Sequence, residues 1–238
     1  MSRFLGFLAI ALFSFAFIFP SNTEAIKIVD NYTGADDHGY GDVIGNANVF
    51  GIDWIDVSIT GNVMSVMAKT NYPGSDNIGA GTQYADFFIS TNGWNPYGTA
   101  PYIDDNSTNG ETWEYVFDVS TGDLYDITGA QSKILLSEHK MPSSGYVFRN
   151  GQEVAIDPTG LTVYSTNAAG SYDGISYSFL IDITGLSGNN SGLGFHWAAA
   201  TCANDVIEGS VPEPATLLLL GTGLVGLGGL VRRKRKNQ

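Results

Sequence analysis

The sequence predicts an all-β fold, an antiparallel, jelly-roll-like β-sandwich, with an N-terminal signal helix and a C-terminal transmembrane helix. Short β-branched and aromatic runs recur at close intervals and are separated by clusters of Gly, Asn, Asp and Pro. Apolar and polar side chains alternate along these runs, most clearly over residues 176–183, as expected for strands with one buried face. Turn residues such as Gly61-Asn62 and Asn150-Gly151 lie between the runs and readily adopt the positive φ angles of tight hairpins.

The order of these runs gives the expected strands. They lie at residues 26–30, 49–60, 63–70, 84–90, 112–119, 124–127, 146–149, 153–156, 161–165, 175–184, 194–199 and 205–207. In the second run the apolar phase shifts by one residue, from Ile52 and Trp54 to Ile55, which predicts a β-bulge. Only residues 133–139 suggest a helix, and that segment is short and ambiguous. No fixed repeat is present, which argues against a propeller or a solenoid.

The first 25 residues have the organisation of a secretory signal peptide. Arg3 precedes an apolar run over residues 4–19, Pro20 interrupts it, and Thr23-Glu24-Ala25 supplies a small-residue cleavage pattern. Cleavage is expected after Ala25, and the alternative is an uncleaved anchor helix. Both interpretations export the domain predicted at residues 26–210.

The last 28 residues, 211–238, combine three features in a fixed order. Pro212, Glu213 and Pro214 come first, and the prolines cannot propagate a helix or a central strand. Residues 215–231 are uncharged and apolar, and as a helix they would measure about 25 Å, close to the thickness of a hydrocarbon core. A basic cluster follows, and its cations would hold that end in the cytoplasm; it comprises Arg232, Arg233, Lys234, Arg235 and Lys236.

This order of motif, apolar span and basic end resembles the PEP-CTERM sorting signal of Gram-negative bacteria. The resemblance implies that an exosortase, an integral membrane enzyme, recognises Pro212, Glu213 and Pro214. Residues 215–231 would then be a temporary inner-membrane anchor, and the basic cluster would stop transfer. After processing, the protein would reach the cell surface or the extracellular matrix. The resemblance covers the C-terminal tail and implies no activity for the domain before it.

Charge and cysteine content narrow the function classes. The chain has a formal net charge of −13, and residues 26–211 carry five cations against 22 carboxylates, a balance of −17. Such a surface repels phosphate backbones, which argues against nucleic-acid binding and favours divalent cations. Cys202 is the single cysteine, so an internal disulfide is excluded, and its expected role is that of a small buried side chain beside Trp197.

Acidic loops make calcium a candidate cofactor. Asp36 and Asp37 lie in a Gly-rich segment, and Asp104 and Asp105 precede an Asn. Calcium takes six to eight oxygen ligands, and Gly-rich turns allow backbone carbonyls to converge on it. The alternative is solvated turns in which Asp and Asn satisfy the local backbone. None of these runs has the order of an EF-hand loop, so the hypothesis rests on composition.

Two aromatic residues in a predicted loop, Trp94 and Tyr97, are candidates for stacking against sugar rings. The alternative for Trp94 is a plug at one end of the sandwich. No catalytic residue is assigned, because no two glutamates stand out as the pair that a glycosidase needs. The preferred interpretation is therefore a non-enzymatic surface or matrix protein with a structural or adhesive role that includes glycan binding. The alternatives are an extracellular carbohydrate-active hydrolase and an unprocessed, single-span membrane protein.

Overall fold

Antiparallel β-strands form almost all of the regular structure in the part of the chain that the structure describes. The computed structural model describes residues 23–30, 42–75, 81–99, 105–138, 149–186 and 192–212. Within the described residues, the only helical segments are one turn of α-helix, α1 (Ala47–Phe50), and one turn of 3-10 helix at Gln131–Lys133. The span Glu24–Glu213 forms one compact unit. The all-β, antiparallel part of the sequence-based prediction is therefore confirmed.

The described strands of this unit form two larger sheets and one small one. In order across the first sheet lie β1 (Thr23–Val29), β2 (Ile52–Thr60), β3 (Val63–Thr70), β11 (Ser176–Asp182) and β10 (Ser171–Tyr172). In order across the second lie β13 (Val206–Val211), β12 (Leu193–Ala198), β4 (Phe87–Ser90), β5 (Tyr115–Asp118), β6 (Asp123–Asp126) and β9 (Val163–Thr166). The small sheet pairs β7 (Ile134–Leu136) with β8 (Glu153–Ile156).

Aromatic side chains from both larger sheets meet in a shared core. Phe179 of β11 lies 5.3 Å from Phe87 of β4 and 5.1 Å from Phe117 of β5, measured between ring centroids. Tyr177 of β11 stacks on Trp197 of β12 at 6.1 Å. Contacts of this kind bury large apolar areas and orient the rings. The core therefore lies between two sheets that each contribute one face.

Pairing between distant strands interlocks the two sheets. β3 pairs with β11 in the first sheet, and β4 pairs with β12 in the second. In a jelly roll the strand pairs are nested, so that the earlier of two strands pairs with the later of their two partners. In such a fold β3 would pair with β12, and β4 would pair with β11. The observed strand order therefore differs from the predicted jelly-roll-like winding. The physical reason is that long-range pairing, which local alternation does not encode, sets the order of strands.

Local turn and bulge predictions agree with the structure in the first hairpin. The register between β2 and β3 shifts between Ile52 and Trp54, which confirms the predicted β-bulge. Gly61, in the turn that joins these strands, has a φ of +61°. In this left-handed region glycine has no steric penalty, so the turn residue that the sequence indicates fits the observed hairpin.

Two local predictions differ from the structure. The ambiguous helical segment at 133–139 contributes to the 3-10 turn and to β7, because Ile134 and Leu135 pair with Ile156 and Ala155 of β8. The second difference concerns the partner of β8. The sequence predicts that a strand at 146–149 precedes β8 and is joined to it by a hairpin turn. Arg149 is not in a strand, and residues 146–148 lie outside the described residues. Pairing with β8 gives the short apolar run of β7 an extended conformation that its own sequence does not require.

The terminal segments belong mostly to the undescribed part of the chain. β1 begins at Thr23, three residues before the strand expected from the sequence. Among the described residues, no helix is long and apolar enough to cross a membrane. The predicted span at 215–231, the signal helix up to residue 22 and the basic cluster lie outside those residues. The proposed boundaries at 25 and 210 stay predictions.

Candidate functional site

Three carboxyl groups from distant parts of the chain meet at one edge of the second sheet. Oxygen atoms of Asp105, Glu111 and Glu208 all lie within 4.8 Å of one another. Glu208 belongs to β13, whereas the other two precede β5. We call these three residues the acidic cluster. Asp105 and Glu208 are buried, and Glu111 is partly exposed, so the cluster extends from the interior towards the surface.

A buried histidine fixes the position of Glu208. The register of the β12–β13 hairpin places His196 directly opposite Glu208. The His196 Nδ1 and Glu208 Oε1 atoms lie 2.7 Å apart, and the Nε2 atom lies 2.7 Å from the Glu153 carbonyl oxygen. Cross-strand pairs of this kind orient both partners. Since both ring nitrogens have hydrogen-bond partners, His196 holds the cluster in place. Cys202 is buried, as the sequence predicts.

The predicted aromatic loop is attached to the acidic cluster by two hydrogen bonds. The Trp94 indole N–H donates to Glu208 Oε2 at 3.0 Å, and the Asn95 amide donates to Glu111 Oε1 at 2.5 Å. The Tyr97 backbone amide lowers the pKa of the Asp105 carboxyl group, although burial raises it more. Because the two bonds join this loop to two separate members of the cluster, the cluster holds the loop in one conformation.

The two aromatic side chains differ in exposure. Trp94 is partly buried and points its polar edge at Glu208, whereas the side chain of Tyr97 is 53% exposed. A tyrosine ring on a fixed backbone offers a flat apolar surface with little entropy to lose on binding. Tyr97 is therefore the better placed of the two for stacking, and Trp94 anchors the loop that carries it.

Burial raises the pKa values of the acids at this site. Desolvation is the largest cause in each case: it raises the pKa of Glu208 to about 8, with a further contribution from Glu111, and the pKa of Asp105 to about 7, with one from Glu208. The pKa of Glu153 is raised to about 7, and that of Glu111 is also raised. A carboxyl group with such a pKa holds its proton near neutral pH and can donate a hydrogen bond.

A cleft with a volume of about 420 Å³ lies beside the acidic cluster. Glu111 belongs to both, and Glu153 and Trp113 also line the cleft. The wall therefore combines carboxyl groups, hydroxyl groups and apolar surface, which is the mixture found in small-ligand sites. The complete lining is Ser107, Thr108, Glu111, Thr112, Trp113, Gln131, Ile134, Leu136 and Glu153.

The structure brings together three of the residues that the sequence singles out. Trp94, Tyr97 and Asp105 meet at the acidic cluster, although the sequence links Asp105 to calcium and the aromatics to glycans. Asp36, Asp37 and Asp104 lie outside the described residues. Sequence reasoning missed four further members of the site, Glu111, Glu153, His196 and Glu208. The available signal was a polar residue at a buried strand position, as at His196 and Glu208.

Comparison with known proteins gives one match, and it lies in the C-terminal tail. The family model of the PEP-CTERM protein-sorting motif matches residues 210–236. Neither a curated protein nor a solved structure matches the chain. Of the three motif residues, Pro212 follows the end of β13 and is exposed, while Glu213 and Pro214 lie beyond the described residues, as does the basic cluster. The chain therefore carries a PEP-CTERM protein-sorting motif at residues 210–236, which confirms the resemblance in its C-terminal sequence.

Proposed function

We propose that this is an exported protein of a Gram-negative bacterium that an exosortase releases from its temporary anchor, and whose β-sandwich then binds carbohydrate at the cell surface or in the extracellular matrix. Its role there is structural or adhesive. The sorting part of the proposal rests on the match to the motif at residues 210–236. The binding part rests on the cleft beside the acidic cluster and on the loop that carries Tyr97.

One observation carries the binding proposal. Trp94 and Asn95 donate hydrogen bonds to two different members of the acidic cluster, Glu208 and Glu111. These two bonds fix the loop, and Tyr97 stays 53% exposed on it. A site that is rigid before the ligand arrives loses less conformational entropy on binding. Stacking on Tyr97, with polar contacts from the cleft wall, is a combination that suits sugar rings.

A hydrolase is the second candidate, and the raised pKa values favour it. Glu111 and Glu153 both line the cleft, and burial raises the pKa of each. Glycosidases use one such protonated carboxyl group as an acid together with a second, ionised carboxylate. Against a hydrolase, Glu208 has both of its oxygens bonded to protein donors or to His196. That arrangement suits a positioning role better than proton transfer to a substrate.

A polysaccharide array with the full chain tests the binding proposal. We expect Tyr97→Ala to weaken binding by about five- to thirtyfold, because loss of an aromatic stacking surface removes about 1–2 kcal/mol. Tyr164→Ala is the matched control, since Tyr164 is an exposed tyrosine on β9; it should bind as the wild type does. Equal binding by the wild type and Tyr97→Ala would contradict the stacking site. Release of reducing ends that stops in Glu111→Gln would favour the hydrolase.

Intact-mass spectrometry tests the sorting proposal. We expect the mature protein from an exosortase-containing host to have lost the basic cluster, and a host without exosortase to retain it. Replacement of Glu213 by Ala should give the unprocessed mass in both hosts. The alternative of a permanently anchored protein predicts that Arg232 and Lys236 persist in every sample, and that result would reject exosortase processing.

A further inference from the structure

A second group of carboxylates lies away from the acidic cluster. Asp30 follows β1, Asp42 precedes α1, and Asp205 precedes β13. One carboxylate oxygen from each residue lies within 4.8 Å of the others. Asp205 is fully buried, Asp30 is half-buried and Asp42 is exposed. The group therefore extends from the interior to the surface, which gives an ion a route from solvent.

Several buried oxygen atoms in this region lack hydrogen-bond partners among the residues that the structure describes. Asp205 has 0% exposure, and its Oδ2 atom accepts a hydrogen bond from the Ile52 amide at 2.6 Å, but its Oδ1 atom has no partner. The Asp30 Oδ1 atom also lacks one, as does the Oδ1 atom of the neighbouring residue Asn204. A buried polar atom without a partner costs about 1–3 kcal/mol, and more when it is charged. Two of these oxygens belong to Asp30 and Asp205, which lie in one group of carboxylates, and their lack of partners favours the binding of a cation.

Charge balance agrees with a divalent ion. Arg149 is fully buried and donates hydrogen bonds to the carbonyl oxygens of Asp42 and Ala203. Its charge also acts on Asp205, although burial and the neighbouring Asp30 have the larger effects on the pKa of that residue and raise it. Three carboxylates and one guanidinium leave two formal negative charges. A single divalent cation would neutralise that remainder.

We propose that Asp30, Asp42 and Asp205 bind one calcium ion. Among the described residues, the ligand atoms of this group are all carboxylate oxygens, and such sets suit hard cations. Calcium tolerates six to eight oxygens in irregular geometry, and water and the Asn204 amide oxygen can complete the set. The sequence instead suggests Asp36, Asp37, Asp104 and Asp105, and although Asp42 follows the first of these acidic loops, nothing in the sequence links it to Asp30 or Asp205.

The acidic cluster is a weaker candidate for the ion. Although the Asp105 Oδ2 atom lacks a hydrogen-bond partner, other oxygens of the cluster accept hydrogen bonds from the Trp94 indole and the Asn95 amide. A cation there would compete with these donors. At the proposed site the Oδ1 atoms of Asp30 and Asp205 are available without breaking a hydrogen bond.

An ion at this site would join three parts of the domain. The Asp30 amide bonds to the Asp53 carbonyl at 3.0 Å, and the Ile44 amide bonds to the Asn204 carbonyl at 2.8 Å. These contacts and the bond from the Ile52 amide to Asp205 already bring together the end of β1, the segment before α1, the start of β2 and the β12–β13 connection. The three ligands lie on the first, second and last of these. The metal would attract three carboxylates that otherwise repel one another, and it would therefore stabilise this part of the domain.

Calorimetric titration of the calcium-depleted full chain with calcium chloride tests the proposal. We expect saturable binding together with a rise in the melting temperature, because a ligand that binds the native state stabilises it. Asp42→Asn should weaken the affinity about tenfold or more, since calcium affinity depends on the charge of its ligands. Asp42 is exposed, so this variant should fold normally, whereas Asp205→Asn alters the buried interior.

Two control variants separate this site from general surface charge and from the acidic cluster. Asp53→Asn removes a nearby carboxylate that pairs with Lys69 at 2.5 Å, and it should change calcium affinity by less than about threefold, since exposed charges interact weakly through water. Glu111→Gln alters the acidic cluster and should leave affinity unchanged. Absence of calcium binding, wild-type affinity in Asp42→Asn, or equal losses in Asp42→Asn and Asp53→Asn would each overturn the proposal.

Discussion

Replacement of Phe179 by Ala should lower the free energy of unfolding by about 3–5 kcal/mol, the range for deletion of a buried aromatic ring. Phe179 is 5% exposed and contacts Phe87 and Phe117 of the opposite sheet. Its removal would take away the transfer free energy of the ring and leave a cavity between the sheets. Equilibrium urea unfolding of the full chain in mild detergent measures the change.

The next residue provides a matched control. Leu180 lies on the same strand with its side chain on the other face, and it is 56% exposed. Leu180→Ala should therefore change the free energy of unfolding by only about 0.5 kcal/mol. Similar losses in Phe179→Ala and Leu180→Ala would contradict a core shared between two sheets. The comparison isolates burial, because both variants change β propensity and side-chain size in the same strand.

Elements with strong local patterns could be predicted from the sequence. β11 alternates from Ser176 to Asp182, and β2 contains the phase shift that becomes a bulge after Ile52. Alternation identifies the buried face of a strand because successive side chains point to opposite sides. β7 could not be identified, since three apolar residues fit a helix or a strand equally well. Its conformation depends on β8, its pairing partner in the structure.

The site could be predicted only in part, because its members are far apart in the chain. Trp94 and Glu208 are separated by 114 residues, yet one hydrogen bond joins their side chains. The aromatic loop and Asp105 were recognisable by composition, but nothing local showed that they meet. His196 faces Glu208 through the register of β12 and β13, and a one-residue slip would place them on opposite faces. Such contacts depend on the assembled sheet.

The interlocked order of the strands also depends on contacts between distant parts of the chain. Hairpins such as β2–β3 follow from nearby turn residues, whereas the pairs β3–β11 and β4–β12 join strands more than 100 residues apart. The turn residues of hairpins constrain neighbours in sequence and say little about distant partners. The sequence therefore predicted the class of fold and most strand positions, and the structure supplied the long-range order that creates the site.

Stability should fall as the pH rises from 5 to 8 in calcium-free buffer. Desolvation raises the pKa of Glu153 to about 7 and that of Asp86 to about 8, while both acids ionise near pH 4 in an unfolded chain. Between about pH 4 and the folded-state pKa values of the two acids, the native state holds protons that the unfolded state has released. The free energy of unfolding then decreases with pH, and it levels off above the folded-state pKa values.

Glu153→Gln should measurably reduce this dependence of the free energy of unfolding on pH, because Glu153 is buried. The variant removes one titrating group and replaces it with an amide of nearly the same size, so the packing of the cleft wall is kept. A group that is 5% exposed and shifted from 4.5 to about 7 can contribute up to about 3 kcal/mol across the window. Urea unfolding of both proteins at pH 5, 6, 7 and 8 gives the two slopes.

An exposed aspartate whose pKa is shifted in the opposite direction is the control. Hydrogen bonds from the Thr184 side chain and amide lower the pKa of Asp182, so its contribution to stability is lost only as the pH falls below about 4. Asp182→Asn should therefore keep the wild-type slope between pH 5 and 8. Stability that rises with pH in the wild type, or equal slopes in Glu153→Gln and the wild type, would show that Glu153 is ionised in the native state, and the cleft would then carry a negative charge at neutral pH.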